Sequence, residues 1–216
     1  MGKALRLLLT AVALASAALL VDVPLAATHE AHRHATPGDP SSKSGRVMLH
    51  DIELVDTDGQ PVRFKSEAVG DRIVVVDFIY TSCTTICPVT SALFVEVQER
   101  LAEQLGERFG PDVKLITLTV DPATDTPQRL KDYAGNFGGP AGWLWLTGDK
   151  PKVDKVLAGL GAYAPDFTRH SGAILVGDAR GGEWTRFYGT PRAQDIVDRV
   201  ERLLAVRGTA NLTDRR

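Results

Sequence analysis

The sequence predicts an α/β domain in which helices cover both faces of a mixed sheet. Segments of strand and helix character alternate along most of the chain, which indicates parallel strands joined by helical crossovers. An Asp58-Gly59 pair between two short strand-like runs predicts a hairpin ahead of this alternation. A second hairpin and a closing helix near the C-terminus add antiparallel strands, so the predicted sheet is mixed.

The individual elements follow from local patterns. The run RIVVVDFIY at 72–80 is nearly continuously β-branched and aromatic, which is typical of a buried strand. Residues 91–105 carry apolar side chains at helical spacing, and Gly106 marks the end of that helix. Two later helices open with a Thr-Pro pair, which supplies an N-cap and a first-turn proline. The later elements are strands at 113–120 and 142–147, helices beginning at Thr126-Pro127 and Pro151, strands at 173–176 and 184–188, and a last helix from Thr190-Pro191 to Arg207.

Composition and charge narrow the class of protein. A chain of 216 residues suits one domain with a leader or tail. Its content of 44% hydrophobic and 24% charged residues is that of a globular protein. The formal net charge is −2 and the basic residues are scattered, which gives no basis for nucleic acid as a partner.

The N-terminus has the pattern of an export signal. Lys3 and Arg6 precede an uncharged stretch at 7–21, and small residues at 25–27 offer a cleavage site. Fifteen uncharged residues are short for a membrane span of about 20, so residues 1–27 favour a signal peptide over an uncleaved anchor. The leader has no nearby cysteine, so we expect no lipid attachment. The predicted location is periplasmic or otherwise outside the cytoplasm.

Residues 28–45 predict a flexible tether, because they are polar, lack apolar periodicity and end in Pro, Ser and Gly. The folded domain is predicted at 46–208 and a C-terminal tail at 209–216. The tether is either a plain linker or a weak metal-binding segment. Its histidines are His29, His32 and His34.

The stretch TSCTTICPV at 81–89 holds the only two cysteines, Cys83 and Cys87, directly after the first buried strand. This placement indicates a thioredoxin-like fold. Pro88 is expected as the first residue of the helix, with Cys87 as its N-cap. Both sulfurs would then lie near the positive end of the helix dipole, which favours thiolates for either metal binding or redox chemistry.

The number and spacing of the cysteines bear on four alternatives: a structural disulfide, a dithiol oxidoreductase, a copper site and a peroxidase. A structural disulfide would close a very short loop and stabilise the fold little. Dithiol oxidoreductases of this fold use Cys-x-x-Cys, whereas here three residues intervene. Two thiolates suit Cu(I), and a third ligand would be needed to hold Cu(II). A peroxidase is disfavoured, because the chain has no remote resolving cysteine.

His170 is the only histidine beyond the cysteines, in the segment PDFTRHSG just before the strand at 173–176. In a thioredoxin-like sheet this loop can pass beside the cysteine turn. The residues alone leave two hypotheses for His170, a third metal ligand or a loop histidine without a ligand role.

Three features together resemble the Sco/SenC family: DFIYTSCTTICP at 77–88, TVDPATDTP at 119–127, and His170 about eighty residues after the second cysteine. The resemblance spans the whole domain. It implies a thioredoxin-like fold and copper ligation by Cys83, Cys87 and His170. It also implies a role in assembling the copper centre of cytochrome c oxidase, with the copper-accepting subunit or another copper protein as client. We expect a monomer.

Other conspicuous residues have plainer interpretations. Asp-Pro ends a strand and Thr-Pro starts a helix, so the second motif is interpreted as architecture; its residues are Asp121, Pro122, Asp125 and Pro127. The large aromatic residues are interpreted as core or near-site packing: Tyr80, Phe94, Phe137, Trp143 and Trp145. His50 is expected on a strand surface.

The leading hypothesis is a copper metallochaperone that holds Cu(I), or Cu(II) with a further donor such as water. Oxidation of Cys83 and Cys87 to a disulfide would destroy such a site. The rival hypothesis is a thiol–disulfide reductase, in which the same two residues are catalytic and keep the cysteines of the client reduced. The two hypotheses differ at His170, which only the chaperone requires.

Overall fold

The computed structural model describes residues 42–138 and 142–213, with side chains as far as residue 208. The predicted leader, residues 28–41 of the tether with their three histidines, and the last three residues lie outside the described residues. Within the described residues, none of the helices has the length and apolar character that a membrane span requires.

The described strands form one mixed sheet of eight, in the order β1-β8-β7-β4-β5-β6-β2-β3. The central three, β4, β5 and β6, run parallel, and every other pairing is antiparallel. The strands are β1 Ser42–Gly45, β2 Glu53–Asp56, β3 Pro61–Arg63, β4 Ile73–Ile79, β5 Val113–Thr119, β6 Trp143–Thr147, β7 Ile174–Asp178 and β8 Glu183–Phe187. The prediction of a mixed sheet is confirmed.

Helices lie on both faces of this sheet. They are α1 Ile86–Leu105, α2 Pro127–Ala134, α3 Lys150–Leu160 and α4 Ala193–Thr213. One buried cluster joins residues of α1, α2 and α4 to one face of the strands, and a second joins residues of α3 to the other face. Both cysteines belong to the first cluster, under α1.

The burial of strand β4 explains why its sequence is apolar at every position except Asp77. All seven of its residues are buried. Ile73, Val75 and Ile79 belong to the cluster with α1 and α4, whereas Val74 and Val76 belong to the cluster with α3. Since a central strand alternates between two covered faces, both of its faces are mainly apolar. Because β4 is buried as far as its last residue, Ile79, the cysteine turn begins directly at the edge of the sheet.

The predicted hairpin at Asp58-Gly59 is present as β2 and β3. The carboxylate of Asp56 accepts hydrogen bonds from the amides of Asp58 and Gln60, at 2.9 and 2.8 Å. Gly59 has φ of 76°, a conformation that costs glycine little. The hairpin extends the sheet beyond β6, to which β2 pairs.

Three predicted boundaries differ from the structure. Residues 42–45, predicted as tether, form β1 because their backbone pairs with the edge strand β8. The last helix begins at Ala193 instead of at Thr190-Pro191. The Asp195 carboxylate accepts the amide hydrogen of Arg192 at 3.1 Å, which closes the first turn there. Helix α4 also continues to Thr213, past the predicted end of the domain.

Candidate metal centre

The two cysteines lie at the junction between β4 and α1. The helix begins at Ile86 with Thr85 as its N-cap, so Cys87 lies in the first turn and the prediction that Cys87 caps the helix is wrong. The Thr85 side chain makes no capping hydrogen bond. Instead the Cys83 Sγ accepts the Cys87 amide hydrogen at 3.4 Å. A sulfur thus takes the place of the usual side-chain oxygen at the start of α1.

Both thiols are free and buried, with 5% of Cys83 and 1% of Cys87 exposed. The rim around them is open, because Ser82, Thr84 and Ile86 are exposed. A partner could therefore contact the turn, although each sulfur lies just beneath its surface.

The protein environment gives the two thiols different pKa values. Burial opposes ionisation of Cys83, but hydrogen bonds from the Cys87 thiol and amide and from Thr85 outweigh it and lower the pKa of Cys83 to about 6. For Cys87 burial and the neighbouring Cys83 thiolate act together, and they raise its pKa to about 12. At neutral pH the pair holds one thiolate and one thiol.

Asp125 fixes the start of the cysteine turn. Its buried carboxylate accepts hydrogen bonds from the Thr81 hydroxyl at 2.5 Å and the Thr81 amide at 3.2 Å. The Thr119 hydroxyl donates to the same carboxylate at 2.5 Å, and the Thr147 hydroxyl donates to the Asp125 carbonyl at 2.6 Å. The second sequence motif therefore clamps the turn to the ends of β5 and β6.

Tyr80 contacts both the cysteine turn and the loop that carries His170. Its carbonyl accepts the Cys83 amide hydrogen at 3.0 Å. The neighbouring Cys83 side chain, then burial and nearby negative charge, raise the pKa of the Tyr80 phenol. Its ring meets the His170 ring edge-on, with centroids 5.9 Å apart. The packing role expected for Tyr80 does not include its contact with His170, because spacing in sequence does not reveal which distant ring a side chain meets.

His170 follows a short 3-10 turn, Phe167–Arg169, which Asp166 caps through hydrogen bonds from the Thr168 amide and hydroxyl. The imidazole is half-buried, and this burial lowers its pKa, so the ring is neutral at physiological pH. The Ser171 carbonyl lies 3.1 Å from Nδ1 and can only accept, so Nδ1 carries the hydrogen. The lone pair of Nε2 is then available to a metal ion.

The structure thus brings Cys83 and Cys87 together. It places the His170 ring against the ring of Tyr80, which precedes the cysteine turn. Across the two described ranges, no set of three or more His, Cys, Asp or Glu side chains is close enough to bind one metal ion. His50 lies outside the strands and is partly buried beside Gly159, so the expectation that it lies on a strand surface is wrong.

Asp77 is a site residue for which the sequence analysis assigned no role. It lies on β4 and is 1% exposed. Its Oδ1 accepts the Thr117 hydroxyl hydrogen at 2.5 Å, whereas its Oδ2 is buried without a hydrogen-bond partner among the described residues. Burial raises its pKa to about 7, and its charge contributes to the raised pKa of Cys87. The signal in the sequence was an acidic residue inside an otherwise apolar strand.

The split between the two thiols predicts selective alkylation. In the reduced protein, iodoacetamide should modify Cys83 before Cys87 at pH 7, with a rate that rises through a midpoint near pH 6. Peptide mass spectrometry after timed quenching measures this. In guanidinium both cysteines should react alike, with midpoints of about 8.5. Equal rates in the folded protein, or a folded midpoint above 8, would contradict the assignment.

Asp77 predicts how stability depends on pH. The folded protein keeps this proton up to about pH 7, whereas the unfolded carboxyl releases it near 3.8. The free energy of unfolding should therefore decrease as pH rises through that window, by on the order of 4 kcal/mol at most. Asp77→Asn should remove this decrease and stabilise the protein most at pH 8, as measured by urea unfolding at pH 4.5, 6 and 8. The exposed Glu103→Gln serves as the control, and a parallel pH profile for Asp77→Asn would refute the prediction.

Comparison with known proteins agrees with the described geometry. The SCO1/SenC family profile matches residues 41–205. A Stutzerimonas stutzeri relative named as a copper-binding protein is 36% identical over 110 residues, which cover 51% of this chain and 50% of the relative. The chain spans about half the length of the curated relatives that it matches first.

Solved structures extend the likeness to the fold. A SCO1/SenC family lipoprotein from Bacillus anthracis has a TM-score of 0.62 at 24% identity, covering 75% of this chain and 98% of that one. BsSco, described as having a disulfide switch and as a member of the Sco family of cytochrome c oxidase assembly proteins, has a TM-score of 0.59 at 26% identity. The aligned region covers 76% of this chain and 95% of the BsSco chain. The thioredoxin-like fold is confirmed, and the chain belongs to the SCO1/SenC family.

Proposed function

We propose that this protein is a copper metallochaperone that binds its cargo through Cys83, Cys87 and His170. The observation that carries the proposal is a reduced cysteine pair at the start of α1 with a neutral histidine one aromatic ring away. Two of the three residues are in the form that a ligand needs, since Cys83 is ionised at neutral pH and the Nε2 of His170 bears a lone pair, whereas Cys87 must first lose a proton.

The donor set suits the cargo. Two thiolate sulfurs and one imidazole nitrogen are soft to intermediate ligands, which favour Cu(I) over hard cations that prefer oxygen. Cu(II) would require a further donor such as water. Loading would release the Cys87 proton, so the affinity should increase with pH. The buried position of the thiols protects them, and the exposed rim at Thr84 and Ile86 gives client ligands an approach.

The relatives support the class of cargo and client. The Stutzerimonas stutzeri protein is named for copper binding, and BsSco is described within a family of cytochrome c oxidase assembly proteins. We therefore propose the copper-accepting subunit of cytochrome c oxidase, or another copper protein, as the client. The export signal expected at residues 1–27 supports a location outside the cytoplasm.

Copper titration of the reduced, full-length protein tests the proposal. One Cu(I) per chain should bind tightly enough to compete with bicinchoninate. Cys83→Ser and Cys87→Ser should lose this binding. His170→Ala should weaken it by at least about tenfold, because even residues that only orient a ligand are worth 10- to 100-fold in affinity.

Two matched controls separate this site from other histidines. His50→Ala should bind copper like the parent, as should a triple variant with His29, His32 and His34 changed to Ala. If the triple variant loses the Cu(I) while His170→Ala keeps it, the metal site lies in the tether and the proposed ligand set is wrong.

The unequal cysteines also favour a second candidate, a thiol–disulfide reductase. The Cys83 thiolate would attack a client disulfide, forming a mixed disulfide and releasing one client thiolate. Cys87, once deprotonated, would then attack Cys83 Sγ and release the second client thiolate, so that two electrons pass to the client. An external dithiol would have to reduce the resulting Cys83–Cys87 disulfide.

Trapping experiments test the reductase. Cys87→Ser should accumulate a mixed disulfide at Cys83 with a disulfide-bonded client peptide, seen by non-reducing mass spectrometry, and His170→Ala should reduce that peptide like the parent. Turnover without copper binding would leave only the reductase, and copper binding without a trapped adduct would leave only the chaperone.

A further inference from the structure

The predicted tether with its three histidines joins the described fold at β1. Ser42, the first residue of β1, pairs with Phe187 of β8, and Phe187 pairs with Ile174 of β7. On the other side of β7, Leu175 pairs with Val76 of β4. All of these pairings are antiparallel, so four strand ends lie at one edge of the sheet. They are the beginning of β1, the end of β8, the beginning of β7 and the end of β4.

The candidate metal centre lies at that same edge. Cys83 and Cys87 follow the end of β4, and His170 precedes the beginning of β7. The tether therefore enters the described fold at the edge that carries the proposed ligands. The strand order β1-β8-β7-β4 puts three strand spacings, about 14 Å, between this entry point and the strand that leads to the cysteines.

The length of the chain brings the three tether histidines within range of this edge. His34 precedes Ser42 by eight positions, and His32 and His29 precede it by ten and thirteen. Eight residues of extended chain span up to about 28 Å, and thirteen span up to about 45 Å. Both lengths exceed the lateral distance of about 14 Å across three strand spacings. Chain length thus allows each of these imidazoles to reach the cysteine turn.

The two groups of residues differ in a way that gives metal transfer a direction. Short histidine-rich tracts are typical metal-binding segments, and imidazole nitrogen suits copper. Thiolate sulfur is softer and favours Cu(I), so an ion would move from the histidines to the cysteines. Cys83 and Cys87 are only 5% and 1% exposed, which gives a copper complex in solution little direct access to sulfur. A ligand on the same chain can bring the ion to them.

We propose that His29, His32 and His34 form an acquisition site that captures Cu(I) and passes it to Cys83 and Cys87 within the same molecule. The inference rests on the proposed copper function. In each exchange step one copper–nitrogen bond breaks and one copper–sulfur bond forms, and the proton of Cys87 passes to water. The ion stays Cu(I) throughout, so the transfer needs no oxidant or reductant. The tether changes the rate of loading, whereas the final affinity belongs to the cysteine site.

Stopped-flow uptake of Cu(I) from its bicinchoninate complex tests the proposal with the reduced, full-length protein under argon. A triple variant with His29, His32 and His34 changed to Ala should load at least about tenfold more slowly than the parent and reach the same final occupancy. The reason is that a short linker holds a bound ion near its acceptor at an effective concentration on the order of millimolar, far above a donor complex supplied at micromolar concentration.

Two controls isolate the histidines and their place on the same chain. A variant with Glu30, Arg33 and Thr36 changed to Ala alters the same segment without removing an imidazole, and it should load like the parent. The double variant Cys83→Ser/Cys87→Ser keeps all three histidines, and its addition to the triple variant should not restore fast loading. Restored loading would show that the histidines act between molecules, which would contradict transfer within one chain.

A second readout detects the acquisition site by itself. The double variant Cys83→Ser/Cys87→Ser should bind one Cu(I), more weakly than bicinchoninate does. X-ray absorption should show nitrogen ligands and no sulfur around this ion. The ion should be lost when His29, His32 and His34 are also changed to Ala.

The outcomes separate the inference from the proposed function. If the parent loads but the triple variant loads at the same rate, or if the double variant holds no Cu(I), the inference is overturned while the copper function stands. If the parent takes up no Cu(I), the proposed function fails and the inference fails with it. Slower loading of the triple variant to an unchanged final occupancy supports both.

Discussion

The hydrogen bond from the Cys87 amide to the Cys83 sulfur sets the character of the cysteine turn. It ties the first cysteine to the first turn of α1, where the helix dipole stabilises negative charge on sulfur. The same contact makes the two thiols unequal, because the thiolate that accepts hydrogen bonds from its neighbour also opposes ionisation of that neighbour. Copper binding and disulfide exchange both start from this state, in which Cys83 is a thiolate and Cys87 is a thiol. Both candidate functions therefore depend on the same hydrogen bond.

Long-range contacts build the rest of the site around that turn. Asp125 joins Thr81 to the ends of β5 and β6, and Tyr80 joins the turn to the loop that carries His170. Asp77 lies on the same face of β4 as the cluster that contains the cysteines, as a carboxyl whose pKa burial raises to about 7. The site therefore combines a reactive pair with costly buried polar groups, a combination that is common where function, and not stability alone, selects residues.

Local signals in the sequence were enough for the order of the elements, the hairpin at Asp58-Gly59, the fold class and the position of the cysteine pair. Apolar periodicity, glycine and proline act over a few residues, so they can be detected without a structure. The contacts of the Tyr80 ring and the Asp125 carboxylate could not be predicted, because they depend on side-chain directions set by distant parts of the chain. Residues 42–45 were missed for a related reason: a polar strand that pairs through its backbone at a sheet edge leaves no apolar pattern.

The clamp at Asp125 also has a consequence for the order of events during folding. Thr81 precedes its carboxylate partner by 44 positions, and Thr147 lies another 22 positions beyond that partner. Contacts between such distant positions form slowly, because the chain loses the entropy of loop closure before the contacts stabilise it. A nascent chain therefore carries both cysteines well before it can shape the turn that shields them. During that interval the thiols are ordinary and accessible, and a cell that makes this protein must keep them from oxidation or stray metal until β6 is in place.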